Sequence, residues 1–223
     1  MREYIKGLTP ATEFVIVVLV AFGYLIFGSI LSALHPGGGL HHSHASLIAL
    51  VVYEAALIAV LATFLGLRGW TPKRIGLVPG LRDTGIGFLL FIAANLIWLL
   101  VWNATSVLSP GLAQTMAAAS AKVVAPGVPV AVAAVVSIVN PVFEEGFVAG
   151  YVMSALRDKW SPLVCVNASV AIRLLYHLYQ GPLGVLSIVP TGLIFAYWYV
   201  RTGRLWPLIV AHALLDLLAL LSV

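Results

Sequence analysis

The chain has 223 residues, 61% hydrophobic and 9% charged, with a mean hydropathy of +1.06. A soluble domain carries about 25% charged residues, so this composition excludes that class and leaves a polytopic membrane protein, read as a single integral-membrane domain over 1–223. The net charge of +4 does not argue for a nucleic-acid partner, because the basic residues are distributed between apolar runs as a topology signal.

At about 20 residues per crossing, the apolar runs are 13–34, 45–67, 84–108, 128–156, 162–178, 182–200 and 207–222. They predict an all-α bundle of about seven transmembrane helices, a multi-pass protein of the cell membrane with lipids as its surroundings. Arg2, Lys6, Arg68, Lys73, Arg74, Arg82, Arg157, Lys159, Arg201 and Arg204 fall in connections on one side; the other side has only Lys122, and Arg173 is within a span. The positive-inside rule then places the N-terminus in the cytoplasm. The first run is longer than the 7–15 residues of a signal-peptide core and lacks a small-x-small cleavage site, so it reads as a retained span.

Along the chain, the outer connection HPGGGLHHSH (35–44) holds three histidines within four residues. With no acidic or Cys ligand beside them, it reads as a Gly-rich polar loop. Glu54, deep in the second run, is either functional or a protonated helix–helix contact. Asn95, Asn103 and Asn167 read as interhelical hydrogen bonds, and Trp70, Trp102, Trp160 and Trp206 as interfacial anchors. Cys165, the only cysteine, excludes an internal disulfide and reads as a small core residue.

The fourth run would measure about 43 Å as one helix, against a hydrocarbon core of about 30 Å. Asn140-Pro141 offers a break, with Asn as N-cap and Pro at the first helical position. Glu144 and Glu145 would then sit in the first turns of a new helix, where the helix dipole favours a carboxylate and burial opposes its charge. The fifth run adds Arg173 and His177, and the seventh His212 and Asp216, each pair four apart and on one helix face. All are expensive facing lipid, so they are expected to turn inward to one low-dielectric pocket. Counted from the inner ends, however, His177 lies about 22 Å up its helix and His212 only about 8 Å.

These motifs, with the lead-in TGRLWPLIVAHALLD, resemble the CPBP family, which groups type II CAAX prenyl proteases with bacteriocin-processing and self-immunity (Abi) proteins. That family carries Glu-Glu-x-x-x-Arg, Phe-x-x-x-His and His-x-x-x-Asn/Asp, each on its own helix. The resemblance covers a motif-bearing core of 140–216, about a third of the chain. Two positions depart from it: the first-motif Arg is Ala149 here, and the second-motif Phe is Arg173. Arg173 is expected to supply from the facing helix the cation that Ala149 lacks, with Glu145 as its partner.

The resemblance implies an intramembrane endopeptidase acting on a peptide or protein that is membrane-embedded or prenylated. Glu144 and His177 would activate a water, and His212 would donate to the oxyanion. Asp216 would orient His212 or remain protonated, while Glu145 and Arg173 support the site. No cofactor is favoured; a zinc ion held by Glu144, His177 and His212 is the alternative. Two other classes remain open: a catalytically silent scaffold or immunity protein, and a proton-coupled transporter, which would usually show inverted repeats with paired broken helices.

Overall fold

The computed structural model describes residues 2–35, 42–120 and 124–222. The chain begins with a short α1 (Arg2–Gly7) and a long α2 (Pro10–Leu34). Thr9 caps α2 by accepting the Thr12 N–H at 3.1 Å, and Pro10 occupies the first turn, where a missing N–H does no harm. Ser43 caps α3 (His44–Leu67) in the same way, at 3.2 Å from the Ser46 nitrogen. Then come α4 (Leu81–Leu108) and α5 (Pro110–Ser120), an 11-residue helix that the sequence reading did not anticipate. α6 (Val130–Glu144) passes through a π-helical segment (Glu145–Tyr151) into α7 (Val152–Leu156). α8 (Pro162–His177), capped by Ser161, ends in a 3₁₀ turn (Leu178–Gln180); α9 (Gly181–Thr202) and α10 (Trp206–Leu221) complete the bundle.

Six of these helical stretches are long and apolar enough to cross a membrane, and α10 is a shorter apolar one, so each expected run corresponds to one observed element in order. Large apolar side chains such as Leu19, Tyr24, Val52, Leu89, Leu100 and Val107 are exposed along α2, α3 and α4. Such an exterior suits lipid, which has no reason to drive them inward. The histidine-rich 35–44 connection lies mostly outside the described residues.

Two expectations are corrected. Pro141 does not break the fourth span: the helix continues through it, and the departure from α geometry comes four residues later, at the π segment. A proline is tolerated inside a membrane helix when neighbours re-satisfy the freed backbone groups. Asn95 and Asn103 do not bridge helices either; each donates to the carbonyl four residues back on its own helix, at 2.8 Å to Phe91 and 2.7 Å to Leu99. Cys165 is buried in an apolar cluster with Met153, Phe195 and Tyr199, as expected for a core residue.

One end of the bundle gathers the segments that carry most of the basic residues. Arg68 pairs with Glu13 and donates to the carbonyls of Ile5 and Leu8 at 3.0 and 2.8 Å. Glu13 also accepts from Trp70 Nε1 at 2.8 Å and from the Tyr151 hydroxyl at 3.1 Å, so Trp70 is tied into the bundle rather than merely resting at an interface. Arg204 pairs with Asp83, and Trp206 Nε1 reaches Thr84 at 2.9 Å. The Tyr199 hydroxyl lies 3.0 and 3.2 Å from the carbonyls of Ile75 and Gly150. Its single proton is shared between them, and Ser154 Oγ at 2.8 Å donates to it.

The 71–80 loop folds under α10 at this end. Leu205 is fully buried and donates its N–H to the Gly76 carbonyl at 3.0 Å. Gly76 has φ +73°, and a Cβ there would lie 1.8 Å from the carbonyl oxygen of Gly203. Both the left-handed backbone and the contact demand glycine. Gly76→Ala is expected to lower the thermal unfolding midpoint in detergent by at least about 5 °C; a midpoint equal to wild type would show that the loop yields without loss.

Candidate active site

The polar side chains meet where α6 gives way to the π segment. Glu144 is the last α-helical residue and Glu145 the first π-helical one. They are 6% and 0% exposed, and they diverge to different partners. Such a single-turn change in winding is a common feature of functional sites.

Glu145 faces α10 and α8. Its Oε1 lies 2.7 Å from His212 Nδ1, and its Oε2 accepts from Arg173 at 2.8 Å. His212 Nε2 faces Asp216 Oδ1 at 3.4 Å, so both ring nitrogens look onto carboxylates. Glu144 faces α8 more fully. Its Oε2 accepts from the Tyr176 hydroxyl at 2.7 Å and, more loosely, from Arg173 at 3.4 Å. Its Oε1 accepts from Asn140 Nδ2 at 3.2 Å, and the same nitrogen reaches Glu54 Oε1 on α3 at 2.9 Å.

Arg173 therefore bridges the two glutamates from the facing helix. Its stem lies against α9, where a Cβ on Gly192 would come within 3.3 Å of Arg173 Cδ. Ala149, the position of the family arginine, is 1% exposed and packed with Phe195 and Leu208, which leaves no opening for a longer side chain. Because the π segment winds more slowly than an α-helix, a residue four positions after Glu145 also no longer stacks directly on it. The expected pairing of Arg173 with Glu145 is present.

His177 closes α8. Its Nδ1 lies 2.9 Å from the Arg173 carbonyl, which only accepts, so Nδ1 carries a proton and Nε2 is the nitrogen left for other contacts. His177 and His212 both interact electrostatically with Glu144 and with each other. At the start of α10 Leu205 is buried and bonded to Gly76 of the 71–80 loop, and further along the helix His212 meets Glu145, which Arg173 joins to Glu144 from α8.

Three contributors escaped the sequence reading. Tyr176 is three residues after Arg173, on the same face, and a hydroxyl beside a proposed carboxylate was the available signal. Asn140 stands four before Glu144, but its place beside Pro141 suggested a cap. Glu54 was recognised as an expensive charge, yet nothing in one sequence links it to a residue 86 positions away.

Toward the basic end lies an apolar cavity of about 170 Å³, lined among others by Ile58, Leu65, Trp70, Gly146, Phe147 and Ile209. Ile58 is one turn beyond Glu54, Gly146 adjoins Glu145, and Ile209 is one turn before His212, so three of the lining residues share helices with the polar cluster and lie within a turn of it.

Among the described residues, no three His, Cys, Asp or Glu side chains gather as a metal-holding group. Of the zinc alternative's three residues, Glu144 is held by hydrogen-bond donors and His212 by two carboxylates.

Residues 126–218 match the Rce1-like family, the type II CAAX prenyl endopeptidases. The match contains every motif residue from Asn140 to Asp216, agrees with the CPBP resemblance, and leaves Glu54 outside. At the family level it supports an intramembrane CAAX-type protease with a peptide or protein substrate. No curated protein and no solved structure matches the chain.

Proposed function

We propose that the protein is an intramembrane endopeptidase in which Glu144 and His177 activate a water and His212 stabilises the oxyanion. The observation that carries this is the surroundings of Glu144: a buried carboxylate held by Asn140, Tyr176 and Arg173, with His177 fixed through Nδ1 on the Arg173 carbonyl and its Nε2 without a hydrogen bond among the described residues. Glu144 takes a proton from water as the oxygen attacks the scissile carbonyl, then returns it to the leaving amine. His177 Nε2 accepts the water's second hydrogen bond and orients it. His212 turns its looser Nε2 contact, at 3.4 Å from Asp216, toward the developing oxyanion, while Glu145 holds the ring from Nδ1.

The metal-free route is favoured over zinc because the contacts around Glu144 are hydrogen-bond donors, Asn140, Tyr176 and Arg173, which hold a carboxylate as a base. The apolar cavity suits a hydrophobic or prenyl tail anchored beside the scissile bond. Gly146 lines the cavity, and a Cβ there would meet nothing within 4 Å, so this position has room for the start of a side chain. Gly146→Leu is expected to raise KM for a tailed peptide about tenfold or more and to leave an untailed one unchanged; equal effects on both would separate the cavity from substrate binding.

The direct test is cleavage of a membrane-peptide library by purified protein, comparing wild type with Glu144→Ala and adding a chelator in parallel. Cleavage that is lost in the variant and indifferent to chelator supports the proposal. Loss with chelator transfers the case to zinc, and cleavage by the variant at the wild-type rate overturns it.

A further inference from the structure

Asn140 behaves unlike the other two asparagines whose side-chain bonds are resolved in the membrane helices. Asn95 and Asn103 turn back to the carbonyl four residues earlier on their own helix. Asn140 also has a freed carbonyl within reach of its own helix, that of Ser137 three residues back, which Pro141 leaves without its helical donor. Instead, its amide nitrogen points forward, with one hydrogen toward Glu144 at 3.2 Å and the other toward Glu54 at 2.9 Å. Glu54 is 1% exposed, and its second oxygen has no hydrogen-bond partner among the described residues. A buried carboxylate held by one amide is hard to account for as a stability device, since burial without full pairing is unfavourable.

We infer that Glu54 and Asn140 are positioning residues for the Glu144 carboxylate. Glu54 is the acceptor that draws the Asn140 amide away from its backbone-bonded alternative, and the amide then fixes where Glu144 Oε1 points. The opposite oxygen is fixed by Tyr176. With one oxygen held from α3 through Asn140 and the other from α8, the carboxylate has a single orientation toward the attacking water. This inference rests on the reading of Glu144 as the activating base.

The variants that test it are Glu54→Leu, which removes the acceptor at similar volume and suits a membrane interior, Glu54→Gln, which keeps an acceptor oxygen, and Asn140→Leu. In cleavage of a membrane peptide, Glu54→Leu is expected to lower kcat about tenfold or more, with KM within about twofold. Glu54→Gln should stay within about threefold of wild type. Asn140→Leu should match Glu54→Leu, and the double variant should fall no further, because the two act as one unit. Multiplying losses, or a Gln variant as slow as the Leu variant, would overturn the inference. A second measurement does not depend on cleavage: the infrared carboxylate stretch of Glu144, identified by its loss in Glu144→Gln. It should move in Glu54→Leu and Asn140→Leu and stay in place in Glu54→Gln. An unmoved band in Glu54→Leu overturns the positioning role whatever the peptide assay gives. Undiminished cleavage by Glu144→Gln would instead remove the catalytic reading and leave a band shift standing.

Discussion

Arg173→Ala is expected to destabilise the protein by about 3–5 kcal/mol, because removing one partner of a buried ionic group leaves the other charges uncompensated. Here the loss strands two carboxylates, since Arg173 is 2.8 Å from Glu145 and 3.4 Å from Glu144 and is itself 4% exposed. His212 still faces Glu145, and Tyr176 still faces Glu144, so the site is not emptied of donors. Arg173→Lys should fare better than alanine and worse than wild type, because an ammonium is a point charge and cannot bridge two carboxylates as a planar fork does. Combining Arg173→Leu with Glu145→Leu should recover much of the lost stability without restoring cleavage. Thermal unfolding in detergent, followed alongside peptide cleavage, separates the two effects. If Arg173→Ala left both folding and cleavage untouched, the arginine would not stand in for the cation missing at Ala149.

Glu144→Gln should lower kcat by about 10²–10⁴-fold, the usual share of a general base, with little change in fold. The amide retains the shape and accepts from Tyr176 through its carbonyl, but it takes no proton from water. Its NH₂ group would also face the Asn140 nitrogen, donor against donor, which turns Asn140 away. Glu145→Gln is the informative contrast. Glu145 holds Arg173 and His212 rather than a free position, so its loss should appear more in the unfolding midpoint than in kcat. Equal catalytic losses for both glutamines would mean that the proposed division between base and support is wrong.

The apolar runs announced the bundle because a membrane span is read from composition alone, and each run became a helix where hydropathy placed it. The cost of charge in lipid likewise predicted that Glu144, Glu145, Arg173, His177, His212 and Asp216 would turn inward. What the sequence withheld was winding. Spacing of three and four assumes an α-helix, and the π segment after Glu144 breaks that assumption at the position where Ala149 and Glu145 are compared. Asn140-Pro141 misled for a related reason: proline is a strong break signal in water, whereas a crowded membrane bundle keeps such a helix continuous. Glu54 could be suspected but not placed, because its partner lies on a helix that only tertiary packing brings near.

α10, with 16 residues, extends about 24 Å at 1.5 Å per residue. Its neighbour α4 has 28 residues and comfortably exceeds a hydrocarbon core of about 30 Å. A bilayer that meets both cannot match both, and thinning beside the short helix is one expected relief of the mismatch. Such thinning would draw headgroups and solvent inward beside the helix that carries His212 and Asp216. On the proposed reading of Glu144 as the base, the attacking water would then have a shorter journey from bulk solution than the thickness of an undisturbed membrane would impose.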